Sequence, residues 1–200
     1  MATGNGAKLV GRLGGGNANV KTYFVPSTDS TALYVGDFVS SAATGAMDTN
    51  SQVAVVTRAT AGHSLVGVIV GFEPDPSLPY TGKYRAASTA RYVQVCNDPD
   101  AIYEIQEDAD GGAVSAQAIA EMQNADIIVA AGSTVTGTSG TMLDSNTAAA
   151  TSAQLKILGV RRDGGVNAGA ASAGALLLVK IFEHALVRVD SVAADGSITE

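Results

Sequence analysis

The chain has no tryptophan, one cysteine, two histidines and only 12 Lys plus Arg in 200 residues. Each scarcity excludes something. Cys96 stands alone, so no intrachain disulfide can form, no oxidising compartment is implied, and a small buried thiol is the expectation. One cysteine and two histidines, His63 and His184, lack the spacing of a zinc site. With a net charge of -7 and so few cations, there is little with which to neutralise phosphates, which disfavours direct nucleic-acid binding. Aromatics at 5% and no Trp leave few platforms for sugar rings. The longest strongly apolar run, "ALLLVKIF" (175–182), is far short of a membrane span, and the start lacks an apolar signal region. A soluble protein with neither membrane segment nor signal peptide is expected.

What remains is a glycine-rich chain long enough to bury roughly 70% of its unfolded surface. Its 23 glycines and 16% charged residues describe a weakly charged surface with many turns. Residues 1–22, with "TGNGA" and "GRLGGGN", read as an extended N-terminal arm. At ~3.3 Å per residue its first 19 residues would reach roughly 60 Å. Residues 23–189 read as one β-rich domain, and 190–200 as a polar tail.

The strand signals are short and regular. "TALYVGDFVS" is broken at Gly36-Asp37; "SQVAVVTRAT" alternates; "LVGVIVGF" (65–72) reads as a buried strand stopped by the three prolines of "EPDPSLPY". In "RYVQVC" (91–96) Arg91, Val93 and Val95 share a face, and in "AIYEIQED" (101–108) Tyr103 and Ile105 lie opposite Glu104, Gln106 and Asp108. Asn97 to Asp100, with Pro99, reads as the turn of a hairpin joining them, its acids bonding nearby amides, with Glu104 and Asp108 on a solvent face. "AVSAQAIAEMQN" (113–124) is the one candidate helix. "QLKILGV" (154–160) and "ALLLVKIFEHALVRV" (175–189) close the series. From 127 to 155 the sole charged residue is Asp144, which suggests a face turned to another protein or ordered surface loops.

Catalytic motifs are incomplete. "GHSLVG" (62–67) approximates a nucleophile elbow around Ser64, with His184 as a conceivable base, but Val66 replaces the required glycine and a strand pattern follows. "DADGG" (108–112) lacks the third ligand and distal glutamate of a calcium loop. "GRLGGGN" and "YTGKY" lack phosphate-loop spacing. No catalytic, cofactor-binding or metal-ligating residue is therefore assigned. Lys83, Arg85 and Arg91, interleaved with Tyr80, Tyr84 and Tyr92, are too few for a nucleic-acid strip but suit a protein partner.

The blocks "PYTGKYRAASTARYVQVCNDPDAIYEIQEDADGGAV" (79–114) and "NADIIVAAGSTVTGTSGTMLDSNTAAATSAQLKILGV" (124–160) resemble the capsid decoration, or cement, proteins of tailed bacteriophages. The likeness spans roughly residues 70 to 182 and rests on turns and strands. It implies an all-β barrel or sandwich, jelly-roll-like or a small decoration-protein barrel, with at most one short helix. It also implies a non-enzymatic virion protein, made in the host bacterial cytoplasm, that binds the outside of an icosahedral shell. Its partners would be the major capsid protein and itself, as a homo-oligomeric dimer or trimer; it would bridge capsomers against internal pressure. The expected contact residues are Leu9, Val10 and Leu13 of the arm with Tyr80, Lys83, Tyr84, Arg85 and Arg91. The alternatives are a head-fibre base or tail component, or a small β-fold hydrolase or carbohydrate-binding module.

Overall fold

The computed structural model describes residues 4–42, 46–74, 82–108, 122–148, 153–161 and 174–187. In its first half the strands are β1 (Lys8–Arg12), β2 (Val20–Val25), β3 (Leu33–Tyr34), β4 (Phe38–Ser41), β5 (Val56–Arg58), β6 (Gly67–Phe72), β7 (Tyr84–Arg85) and β8 (Arg91–Cys96). They are followed by β9 (Ala101–Gln106), β10 (Asn124–Ala125), β11 (Ile127–Ile128), β12 (Met142–Leu143), β13 (Leu155–Val160) and β14 (Leu176–Ile181). The fold is all-β, as the strand periodicity implies. Five strands form one antiparallel sheet in the order β1-β9-β14-β13-β10, five form a second in the order β2-β8-β6-β4-β5, and β3-β7 and β11-β12 are two-stranded ribbons.

The two large sheets pack face to face. Tyr103, Ile105, Leu155, Ile157, Leu177 and Val179 from the first meet Phe38, Val68 and Cys96 from the second in one buried cluster. The second sheet also buries its opposite face, where Tyr23, Val25, Leu33, Val39, Ile69, Val93 and Val95 pack together. Alternate residues of a strand point to opposite faces, so Val68 and Ile69 serve different cores. That double burial explains why "LVGVIVGF" is apolar throughout and not alternating. At Gly67 the neighbouring strand passes so close that a Cβ would lie 2.1 Å from the Cys96 carbonyl oxygen.

Three sequence expectations change. β8 and β9 are both strands, but they do not pair with each other: β8 pairs with β2 and β6, β9 with β1 and β14. Asn97 to Asp100 is thus a crossover between sheets, not the turn of a hairpin. Of the expected helix 113–124, residues 113–121 lie outside the described residues; Met122 has a φ of 75° and Asn124 already belongs to β10. The described helical structure is one 3-10 turn, Ser145–Thr147, whose Asp144 side chain accepts from the Asn146 N–H. Among its described residues the weakly charged stretch 127–155 is divided: Ile127, Ser139, Thr141, Leu143, Ser145, Gln154 and Leu155 are buried, while Ala131 and Thr134 to Thr136 are exposed in a surface loop.

The N-terminal segment is extended and belongs to the body of the fold. β1 pairs antiparallel with β9, with an irregularity between Leu9 and Gly11. Ahead of it, Gly4 lies so close to Gly140 that a Cβ would stand 2.2 Å from its carbonyl oxygen, and the Ala7 N–H donates to the Gly36 carbonyl at 3.0 Å. The tail 190–200 lies outside the described residues.

Candidate contact surface

β1 is the outermost strand of its sheet among the described residues, and on one side no described strand lies beside its main-chain donors and acceptors. Leu9, Val10 and Leu13 are 38 to 51% exposed there, and Val20 at the start of β2 is exposed as well. A cleft of about 420 Å³ lies between Leu9, Val10 and Gly11 on one side and Gly16, Asn17 and Ala18 on the other. Gly14, Gly15 and Gly16 all take φ between 81° and 84°, the left-handed region that favours glycine, and no atoms crowd the space where their side chains would be. Of the three expected arm residues, Leu9 and Val10 line this cleft and Leu13 follows β1 in the turn.

The corner beneath it is held by buried polar groups. The Arg12 Nε donates to the Asp98 carboxylate at 2.8 Å, the Asn19 N–H donates to the same oxygen at 3.2 Å, and the Asp100 N–H donates to the other oxygen at 2.9 Å. Asn97 accepts from the Asn19 side chain at 2.9 Å and donates to the Tyr23 hydroxyl at 3.0 Å. Both chain crossovers between the sheets, 13–19 and 97–100, are tied together here. Burial pushes the Asp98 pKa up, but the Asp100 N–H, the Arg12 guanidinium and the Asn19 N–H outweigh it and hold it below the usual carboxylate value.

The second group of expected contact residues separates. Arg85 is fully buried, and its guanidinium donates to the carbonyls of Thr89, Thr31, Pro26 and Asp29. Arg91 is also buried, lies over the Phe72 ring and donates to the carbonyls of Tyr84 and Glu73. Arg85 and Arg91 are therefore interior clasps and not contact residues, because an Arg fork can satisfy several carbonyls that a loop would otherwise leave unpaired. Tyr84 is half-buried and stacks on Tyr34 with ring centroids 5.4 Å apart. Lys83 is exposed and points its Nζ toward the Val135 carbonyl at 3.4 Å. Tyr80 lies outside the described residues.

Glu104 and Asp108, expected on a solvent face, are buried: Glu104 pairs with Arg161, and the Asp108 carboxylate accepts from the Ser145 N–H and hydroxyl. Glu107 is buried as well and accepts from the Gly174 N–H at 2.9 Å. Among the described residues no group of three or more His, Cys, Asp or Glu is placed to hold a metal ion. Ser64 is exposed in the turn after Gly62, and the backbones of Leu65 and His184 form a parallel bridge. His184 is buried; its Nδ1 accepts from the Leu186 N–H at 3.1 Å, which places the ring proton on Nε2, an atom buried away from solvent.

No family model, curated protein or solved structure matches the chain.

Sequence reasoning missed two polar clusters. One is the Asp98 corner described above. In the other, the wholly buried Asp37 accepts from Ser139 at 2.5 Å, Thr141 at 3.2 Å and the Tyr34 N–H at 2.8 Å. Burial raises the Asp37 pKa, and these hydrogen bonds only partly offset it. The signal available for Asp37 was its position after Gly36, whose φ of 94° marks a turn; nothing in the sequence pointed to residues 102 positions away.

Proposed function

We propose that this chain is a structural virion protein that binds the outer surface of an icosahedral phage capsid as a homo-oligomer, bridging neighbouring major capsid proteins without catalysis. The observation that carries the reading is the exposure of Leu9, Val10 and Leu13 on and just after β1, a strand with no further described strand on its outer side, in an all-β fold. Isolated exposed hydrophobes need no explanation, but several within residues 9–13, two of them lining one cleft at a sheet edge, suit a protein partner. The resemblance of 79–114 and 124–160 to decoration proteins supports the same role. A shell repeats its sites, so an oligomer touching several capsomers gains affinity by multivalency from modest single interfaces. Of the expected contacts, the buried Arg85 and Arg91 leave the proposal, and Leu9, Val10, Leu13, Tyr80, Lys83 and Tyr84 remain in it.

Densitometry of purified virions tests it. A decoration protein is present at an abundance comparable to the major capsid protein; a few copies per particle would favour a head-fibre base or tail component instead.

A further inference from the structure

Of the two histidines, His63 is exposed and His184 is buried, and the turn after His184 hangs on its ring. The Leu186 N–H donates to the His184 Nδ1 at 3.1 Å, and the Val187 N–H to the His184 carbonyl at 3.0 Å. Just upstream the chain is anchored elsewhere in the fold: the Leu65 N–H donates to the Glu183 carbonyl and the Ala185 N–H to the Leu65 carbonyl, both at 2.8 Å. Past Ala185, the hydrogen bonds of the described residues Leu186 and Val187 lead back to His184 alone. Leu186 and Val187 are 60% and 45% exposed, and Val187 lines a cleft of about 310 Å³ with Pro99, Asp100, Ile181, Phe182 and His184 itself. The ring's chemistry fixes what a proton does here. A backbone amide can only donate, so Nδ1 is the acceptor and the neutral ring carries its proton on Nε2. A second proton can go only to Nδ1, where it removes the lone pair that the Leu186 N–H uses and sets two donors against each other. Turning the ring over would present a carbon instead, and the amide would still lose its bond.

We infer that His184 is a proton-operated latch on the turn 184–187: weak acid breaks its bond to Leu186, frees Leu186 and Val187, and opens the cleft that Val187 closes. The charged groups around the ring are Asp98 and Asp100 of the crossover 97–100, Lys180 on β14, and Arg12 on β1. Arg12 contacts both acids, and Lys180 lies 3.7 Å from Asp100. Each acid thus already has a cation beside it and is poorly placed to take up a new imidazolium. Of the other titratable neighbours in the chain, Glu183 precedes the ring, and His63, in the turn before Leu65, lies within bonding reach of Thr60 at 3.4 Å. Burial lowers the His184 pKa, Asp98 and the Asn97 backbone pull it up, and Lys180 adds to the lowering; the net direction is down. The released turn, with its ring in water, therefore takes a proton more readily than the closed one. The latch holds above about pH 6.5 and gives way as pH falls from there toward the lower value of the buried ring. It belongs to the chain alone and needs no partner.

The test uses the full chain labelled with nitrogen-15. Imidazole nitrogen shifts report which ring atom carries the proton, and amide hydrogen exchange, expressed relative to an unstructured chain at each pH, reports the turn. At neutral pH the His184 proton is expected on Nε2. Between about pH 7.5 and pH 5 the protection of the Leu186 amide is expected to fall about tenfold, while Leu177 and Val179 in β14 keep theirs. In His184→Asn, whose side-chain oxygen can accept the same N–H but does not titrate, Leu186 protection is expected to stay level over that range. Should that variant not fold, the wild-type ring shifts and exchange profile still decide. A proton on Nδ1 at neutral pH, unchanged Leu186 protection, the same fall in His184→Asn, or a parallel loss throughout β14 would each overturn the inference.

Discussion

Arg12 and Asp98 are 86 positions apart in the chain and 2.8 Å apart in the fold, and their contact joins the two crossovers that link the sheets. Asp98 is buried while Arg12 stays about one-third exposed, so removing the acid strands a cation that water can still reach. The Asp98→Ala change is therefore expected to cost about 1.5–3 kcal/mol, the range for hydrogen bonds to charged groups. Chemical denaturation would show it. A loss below about 0.5 kcal/mol would mean the corner is held by packing alone.

The pH dependence of that corner has a definite sign. Asp98 has a folded-state pKa below its ordinary 3.8, so its stabilisation is fully present above that value and is lost as pH falls through the lower, folded one. His184 acts at higher pH. Burial lowers its pKa from 6.5, against the opposing pull of Asp98 and the Asn97 backbone, so the unfolded chain takes up a proton first. Stability should then fall as pH drops below about 6.5. The His184→Asn variant keeps an acceptor for the Leu186 N–H but does not titrate, and its melting temperature is expected to change less between pH 7 and 5. Parallel wild-type and variant profiles would refute this assignment.

Arg85 offers a sharper contrast between similar residues. Lysine in its place would keep the charge but lose the planar fork that reaches four carbonyls. The Arg85→Lys variant is expected to lose about 3–5 kcal/mol, the scale for breaking a buried charged network. Near wild-type stability on denaturant titration would mean that the loops 26–31 and 85–89 are held by other contacts.

Two glycines separate crowding from freedom. Alanine at Gly67 would drive a Cβ into the Cys96 main chain, whereas nothing lies within 4 Å of one at Gly11. Gly67→Ala is expected to lose about 1–3 kcal/mol from overpacking and Gly11→Ala to stay within about 0.5 kcal/mol of wild type. Thermal melts of the pair decide it; similar losses in both would contradict the close approach of β6 to β8.

The strands were legible in the sequence wherever alternation was clean, as in Val93, Val95, Tyr103 and Ile105, all wholly buried. Their partners were not. Asn97 to Asp100 carries the residues of a tight turn, and the same local chemistry serves a crossover when each flanking strand finds better neighbours in a different sheet. Glu104 and Asp108 read as solvent-facing because a charge in sequence does not reveal a distant partner; Arg161 and Ser145 supply one in the fold. Arg85 and Arg91 were misplaced for the same reason. Leu9, Val10 and Leu13 are exposed, because few large apolar neighbours surround them in the chain and β1 ends its sheet among the described strands.

The central proposal is most directly tested by mixing the purified protein with undecorated mature capsids at saturating concentration and imaging the particles. The account predicts regularly spaced added density on the outer shell, with binding reduced by acidic substitutions at Leu9 and Val10. Particles indistinguishable from untreated capsids would contradict it.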